Sequence, residues 1–224
     1  MAVDRSRLKD WRVYVVTDAR LARGRSHVEI VEAAVAGGAD VIQLRDKEAS
    51  DDDFLRSARA LLRITRPAGV PLIVNDRVSV AVAVDAEGVH VGQSDLTARE
   101  TRQLIGDDRI LGVSAESVDD ALRAVGDGAD YVGVSPVFDA RATKSDAARP
   151  LGLEGLSEIR RHCDLPLVAI GGIDHDNAAS VIAAGADCVA VIRCVVAADD
   201  VAEAVRSLRE AIDAPPRQAP GGIG

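Results

Sequence analysis

Short apolar runs recur along the chain, separated by longer stretches in which apolar positions fall three and four residues apart. The runs cover residues 13–17, 41–45, 71–75, 88–91, 110–114, 131–135, 167–170 and 188–192, and their Val- and Ile-rich composition predicts strands. Between them, residues 26–36, 51–66, 117–125 and 177–184 carry the spacing of amphipathic helices. Strands alternating with helices predict an α/β fold whose sheet is either closed into a barrel or open and doubly wound. Gly-Ala-Asp stands before a strand three times, at Gly38-Ala39-Asp40, Gly128-Ala129-Asp130 and Gly185-Ala186-Asp187. Glycine there can end a helix in the left-handed conformation, so the echo marks a repeated βα unit. No GxGxxG follows the first run, where an open dinucleotide-binding sheet would carry one. The expected architecture is a single (β/α)8 TIM barrel over residues 1–213, with a loose Pro- and Gly-rich tail at 214–224.

Composition narrows the picture further. Apolar residues make up 47% of the 224 positions, enough for a sizeable core, and aromatics are scarce. The net charge of −9 argues against a nucleic-acid partner, which favours a basic face. No segment is apolar for long enough to span a bilayer, and the charged N-terminus lacks the apolar core of a signal peptide. A cytoplasmic protein with no membrane partner is therefore expected. Cys163, Cys188 and Cys194 form no CxxC and are read as buried, idle thiols in a reducing compartment. The oligomeric state stays open, a homo-oligomer included.

Polar residues gather where the predicted strands end, which in such a barrel is the active-site face. The second run finishes Gln43-Leu44-Arg45-Asp46-Lys47, and alternation puts Gln43, Arg45 and Lys47 on one side. Turned into the barrel mouth, they answer an anion; turned outward, they form a solvated strand end paired with Asp46 or Glu48. Asn75-Asp76 closes the third run, and Gln93-Ser94-Asp95 follows the fourth. Asp76 and Asp95 can hold Mg²⁺, which takes one or two carboxylates and completes its shell with water and phosphate oxygens. Read singly, Asp76 also fits a helix N-cap and Asp95 a turn. The Ile170-Gly171-Gly172-Ile173 segment suits a phosphate-binding loop, a tight turn, or both. A long loop at 135–151 has the length of a lid. His27, His90, His162 and His175 are read as structural or surface residues.

The ordered set Gln43-Leu44-Arg45-Asp46-Lys47, Val74-Asn75-Asp76, GVHVGQSDL at 88–96, Gly112-Val113-Ser114, GVSPVF at 133–138, Thr143-Lys144 and AIGGI at 169–173 resembles thiamine phosphate synthase from about Tyr14 to Val196. The resemblance implies small-molecule substrates: a hydroxymethylpyrimidine diphosphate and a thiazole phosphate, joined to thiamine phosphate with release of diphosphate. It further implies that Arg45, Lys47, Asn75 and Lys144 hold the diphosphate as the catalytic set, and that Asp76 and Asp95 bind one Mg²⁺ per active site. Gln43 and Ser114 would contact the pyrimidine, Thr143 the thiazole side, and Gly171 and Gly172 the thiazole phosphate. The chain departs from the family in a loop at 139–144 that is one residue longer and lacks the first of two threonines. It also carries Arg193 where the family usually has Ser, placing an arginine beside the expected thiazole phosphate. Two rival readings are a thiazole tautomerase-like enzyme, with Glu116 as base, and a phosphate-binding barrel without turnover.

Overall fold

The computed structural model describes residues 5–139 and 149–214. Eight parallel strands, β1 (Val13–Val16), β2 (Val41–Leu44), β3 (Leu72–Asn75), β4 (Gly88–Val91), β5 (Ile110–Ala115), β6 (Tyr131–Val134), β7 (Leu167–Ile170) and β8 (Cys188–Val191), pair in sequence order. β8 closes on β1, with Val13 opposite Val189, so the sheet is a barrel with no free edge. The helices between strands are α1 (His27–Ala36), α2 (Asp51–Ala68), α3 (Val78–Val84), α4 (Ala98–Ile105), α5 (Val118–Gly126), α6 (Gly152–His162) and α7 (Ala178–Ala183). After β8 come the one-turn α8 (Arg193–Val196) and α9 (Val201–Asp213). The expected single (β/α)8 barrel is the observed fold.

Alternation along each strand sorts the core into two. Val13, Val15, Ile42, Leu44, Leu72 and Val74 point outward and pack beneath the helices. Tyr14, Val16, Val41, Ile73, Ile110, Tyr131, Val168, Cys188 and Ala190 point inward and fill the barrel. A 3-10 turn at Arg5–Asp10 brings Leu8, followed by Trp11, under the barrel. The Trp11 ring meets Tyr14 and Tyr131 edge-on, with centroids 6.2 and 5.8 Å away. One end of the barrel is thus plugged with aromatic side chains, and the opposite end stays open.

Local rules explain where the helices begin. Ser26 and Thr97 each form a capping box, with Glu29 and Glu100 respectively. The repeated Gly-Ala-Asp does more than join helix to strand. Its glycines adopt φ values of 93°, 88° and 110°. Its aspartates reach sideways to amides near the start of the preceding strand: Asp40 accepts from Val13, Asp130 from Leu111 and Asp187 from Leu167. Each also pairs with an arginine, Arg209, Arg102 and Arg160 in turn. These carboxylates tie neighbouring strands at the closed end and leave the polar strand ends opposite them free for chemistry. Among the described residues no helix is long and apolar enough to cross a membrane.

Candidate active site

A cavity of about 900 Å³ opens at the C-terminal ends of the strands, and Gln43, Arg45, Lys47, Asn75, Asp76 and Asp95 all line it. Alternation in and beyond β2 acts as expected: Asp46 faces away from the cavity-lining trio, accepting from the Glu48 and Ala49 amides and meeting His27 Nε2 at 3.1 Å. The outward salt-bridged alternative for Arg45 and Lys47 therefore does not describe this strand end. Arg45 instead donates to Asp18 at 2.7 Å, just beyond β1, and Asp18 is almost fully buried. Lys47 is exposed and makes no ion pair among the described residues.

Asp76 is no side-chain cap, because α3 has Arg77 as its N-cap residue and no side-chain cap hydrogen bond. Its backbone sits at φ 60°, a left-handed conformation uncommon away from glycine, and its amide donates to the His90 carbonyl at 2.9 Å. Burial, followed by the neighbouring Asp95 charge, pushes its carboxyl up to about 6, against smaller opposing effects of Lys47 and Arg45. Asp95 does make the expected turn contact, accepting from the Gly92 amide at 2.8 Å, and its charge stands beside the Asp76 carboxyl. A carboxyl pair that repels itself inside a cavity is suited to a divalent cation. Among the described residues there is no cluster of three or more His, Cys, Asp or Glu that would hold a metal alone. A two-carboxylate set fits Mg²⁺, which leaves most of its shell to water and phosphate oxygens, better than zinc or calcium.

On the far side of the mouth, Gly171, Gly172 and Arg193 line the same cavity. A Cβ at Gly172 would fall 2.8 Å from Phe138 Cβ, so the loop lies against the segment that follows β6. Asn177 Nδ2 donates to the Gly172 carbonyl at 2.9 Å and fixes the turn. Arg193 is exposed at the cavity and makes no ion pair among the described residues. Thr143 and Lys144 lie outside the described residues. Glu116 lines the mouth but is exposed, and its carboxylate makes no ion pair with a histidine among the described residues.

Three residues at the cavity floor, Tyr14, Tyr131 and His90, were not singled out from the sequence for any role here, and neither was Asp18, the partner of Arg45. His90, read above as structural or surface, is a cavity-lining ring whose Nδ1 lies 2.9 Å from the Tyr131 hydroxyl and whose Nε2 lies 3.0 Å from Ser114 Oγ. Burial pushes its pKa down to about 4, so the imidazole is neutral. Ser114 thus meets the cavity beside Gln43, Tyr14 and Tyr131.

A family model described as thiamine monophosphate synthase matches residues 13–195. The chain belongs to the thiamine monophosphate synthase family. It is 60% identical over 200 residues to the thiamine-phosphate synthase of Chloroflexus aurantiacus, covering 89% of this chain and 92% of that one. It is 51% identical over 205 residues to that of Moorella thermoacetica, with 92% and 97% covered. The thiamine phosphate pyrophosphorylase structure from Pyrococcus furiosus superposes with a TM-score of 0.84 at 39% identity, covering 92% and 97%. A 3-hexulose-6-phosphate synthase, 18% identical with a TM-score of 0.68, shares the fold. The family's relatives support thiamine-phosphate synthase function: an enzyme of thiamine biosynthesis, a transferase working on small molecules.

Proposed function

We propose that the protein joins 4-amino-2-methyl-5-(diphosphooxymethyl)pyrimidine to a thiazole phosphate, giving thiamine phosphate and diphosphate. The observation that carries this reading is the meeting of Arg45, Lys47 and Asn75 with the Asp76–Asp95 pair on the wall of one cavity. Asp76 and Asp95 would hold Mg²⁺, which supplies positive charge to the diphosphate when bound. Arg45, Lys47, Asn75 and, from the 139–144 loop, Lys144 bind the diphosphate oxygens. Breaking the C–O bond places negative charge on diphosphate and positive charge on the pyrimidine methylene. Fixed cations aimed at the leaving group stabilise charge as it develops. The thiazole nitrogen is the nucleophile, and its attack forms the C–N bond, so no protein nucleophile is needed. Substitution then runs through a pyrimidine cation, from which the loop at 139–144 excludes water. Gln43 and Ser114 contact the pyrimidine; Gly171, Gly172, Thr143 and Arg193 take the thiazole phosphate side.

The test is an assay of the purified protein with both substrates, with and without a chelator. Thiamine phosphate and diphosphate should form together and stop when the metal is removed. Turnover insensitive to chelation would remove Mg²⁺ from the reading. Isomerisation of the thiazole phosphate without coupling would place the protein with the tautomerases, and binding without either reaction with the non-catalytic barrels.

A further inference from the structure

Four hydrogen bonds join Gln43 to Ser114 through side chains with no part in holding a diphosphate. Gln43 Nε2 donates to the Tyr14 hydroxyl at 2.8 Å, the Tyr14 and Tyr131 hydroxyls lie 3.0 Å apart, Tyr131 meets His90 Nδ1 at 2.9 Å, and His90 Nε2 meets Ser114 Oγ at 3.0 Å. Tyr14 and Tyr131 are almost wholly buried. The strands are shaped to admit this row. His90 lies opposite Gly112 and Gly112 opposite Tyr131 in the barrel ladder. A Cβ at Gly112 would fall 2.0 Å from Tyr131 Cζ, and one at Gly133 would fall 2.8 Å from His90 Cε1. Two missing side chains therefore let the Tyr131 and His90 rings lie against each other, with centroids 5.6 Å apart.

Proton counting gives the row a direction. Each hydroxyl has one proton, a neutral imidazole has one N–H, and an amide NH₂ cannot accept. With Gln43 donating to the buried Tyr14, the arrangement that leaves no hydroxyl proton unpaired has Tyr14 give its own proton to Tyr131. Tyr131 then gives its proton to His90 Nδ1, and His90 donates from Nε2 to Ser114. The two ends are thereby set together: Gln43 Oε1 remains as an acceptor, and the Ser114 hydroxyl proton remains as a donor. Reversing the ends requires a change of imidazole tautomer, two turned hydroxyls and a flipped amide, all together.

We propose that Tyr14 and Tyr131 are positioning residues that couple an acceptor at Gln43 to a donor at Ser114, and so select a ring with an amino group beside a bare ring nitrogen. Its oxo counterpart, with C=O beside a ring N–H, presents the reverse pattern and is refused. The inference rests on the proposed reaction, in which Gln43 and Ser114 contact the pyrimidine.

The experiment compares amino- and oxo-pyrimidine diphosphates, each with the thiazole phosphate, in wild type, Tyr14→Phe, Tyr131→Phe and Trp11→Phe. Wild type and Trp11→Phe should prefer the amino substrate by about a thousandfold or more in kcat/KM, since a site built to hydrogen-bond leaves polar groups unpaired with the wrong analogue. Either tyrosine change should narrow that ratio by about tenfold or more, because the two ends then turn independently. A merely structural role would lower both substrates alike, and an unchanged ratio in the tyrosine variants overturns the inference while the reaction stands. Failure of wild type to form thiamine phosphate from the amino substrate overturns the reaction instead. Nitrogen-15 NMR of the histidine rings, with His90 assigned by its loss in His90→Gln, reads the polarity without turnover. A single Nε2–H tautomer is expected in wild type and a mixture in Tyr131→Phe; an Nδ1–H tautomer in wild type overturns the proposal.

Discussion

The carboxylate of Asp18 accepts from the guanidinium of Arg45 at 2.7 Å, with 2% of the Asp18 side chain exposed and 13% of that of Arg45. Asp18 Oδ1 also accepts from the amides of Arg20 and Leu21, so its carboxyl is fixed to its own loop before it touches the neighbouring strand end. Thr17 Oγ1 accepts from the Arg45 amide at 3.0 Å and strengthens the same junction. Arg45 is thus held in a preset position, from which binding an anion as proposed would cost less entropy.

Asp18→Ala should destabilise the fold by about 3 kcal/mol, because it leaves a mostly buried guanidinium without its partner. Asp18→Asn keeps an oxygen for the two loop amides and should recover most of that stability. Both should raise KM for the pyrimidine diphosphate by about tenfold. Denaturant unfolding combined with steady-state kinetics checks this, and an Asn variant with wild-type KM would show that the charge of Asp18 plays no part.

Lys47 offers the opposite case, an exposed cation at the cavity with no ion pair among the described residues. Lys47→Ala should change stability by no more than about 0.5 kcal/mol. Its kcat should nevertheless fall by about a hundredfold or more, as expected when a group aimed at developing charge is removed. Near-wild-type turnover would exclude Lys47 from the diphosphate set.

Asp76→Asn tests the carboxyl pair. Asparagine accepts the left-handed backbone that Asp76 occupies and removes one of two like charges in contact. Without metal at pH 7.5, the variant should melt at or above the wild-type temperature. Added Mg²⁺ should raise Tm of wild type and leave that of the variant unmoved. Equal Mg²⁺ responses would place the metal elsewhere.

His90 sets a pH dependence. Its folded pKa is pushed from 6.5 down to about 4, chiefly by burial. Below 6.5 the unfolded chain takes up a proton that the folded protein refuses, so acid favours unfolding. The stability tied to the neutral ring is complete above 6.5 and is lost as pH falls toward 4. It amounts to no more than about 3 kcal/mol, because the ring also faces the cavity. Urea unfolding at pH 7.5 and 4.5 should show a smaller fall for His90→Gln than for wild type; parallel curves would rule out a buried neutral imidazole.

Hydrophobic alternation located every strand to within a residue or so and put Gln43, Arg45 and Lys47 on one side, but with core on both faces of each strand only the structure shows that side to be the cavity. The floor of the cavity was not legible in the same way. Which side chains meet across strands depends on register, and the row His90, Gly112, Tyr131 comes from three segments whose relative offset no local pattern encodes. A signal was present in Gly112 and Gly133, small residues inside otherwise branched strands, which mark places where another group comes close. Asp18 was hidden for another reason: an aspartate after a strand is so common in turns that only its burial beside Arg45 distinguishes it.

Arg193 bears on the half of the cavity where this chain departs from its family. It begins the short helix after β8, lines the cavity with Gly171 and Gly172, and has no ion pair among the described residues. A guanidinium beside a glycine turn is a bidentate donor for a phosphate, and it enters the cavity after β8, whereas Asp76 and Asp95 follow β3 and β4. Arg193→Ala should therefore raise KM for the thiazole phosphate by about tenfold while changing KM for the pyrimidine diphosphate by less than about twofold. Arg193→Ser, which restores the residue usual in the family, should recover part of the loss through its hydroxyl. Initial rates with each substrate varied at saturating levels of the other decide the matter. Equal increases for both substrates would mean that Arg193 supports the cavity as a whole and does not bind the thiazole phosphate.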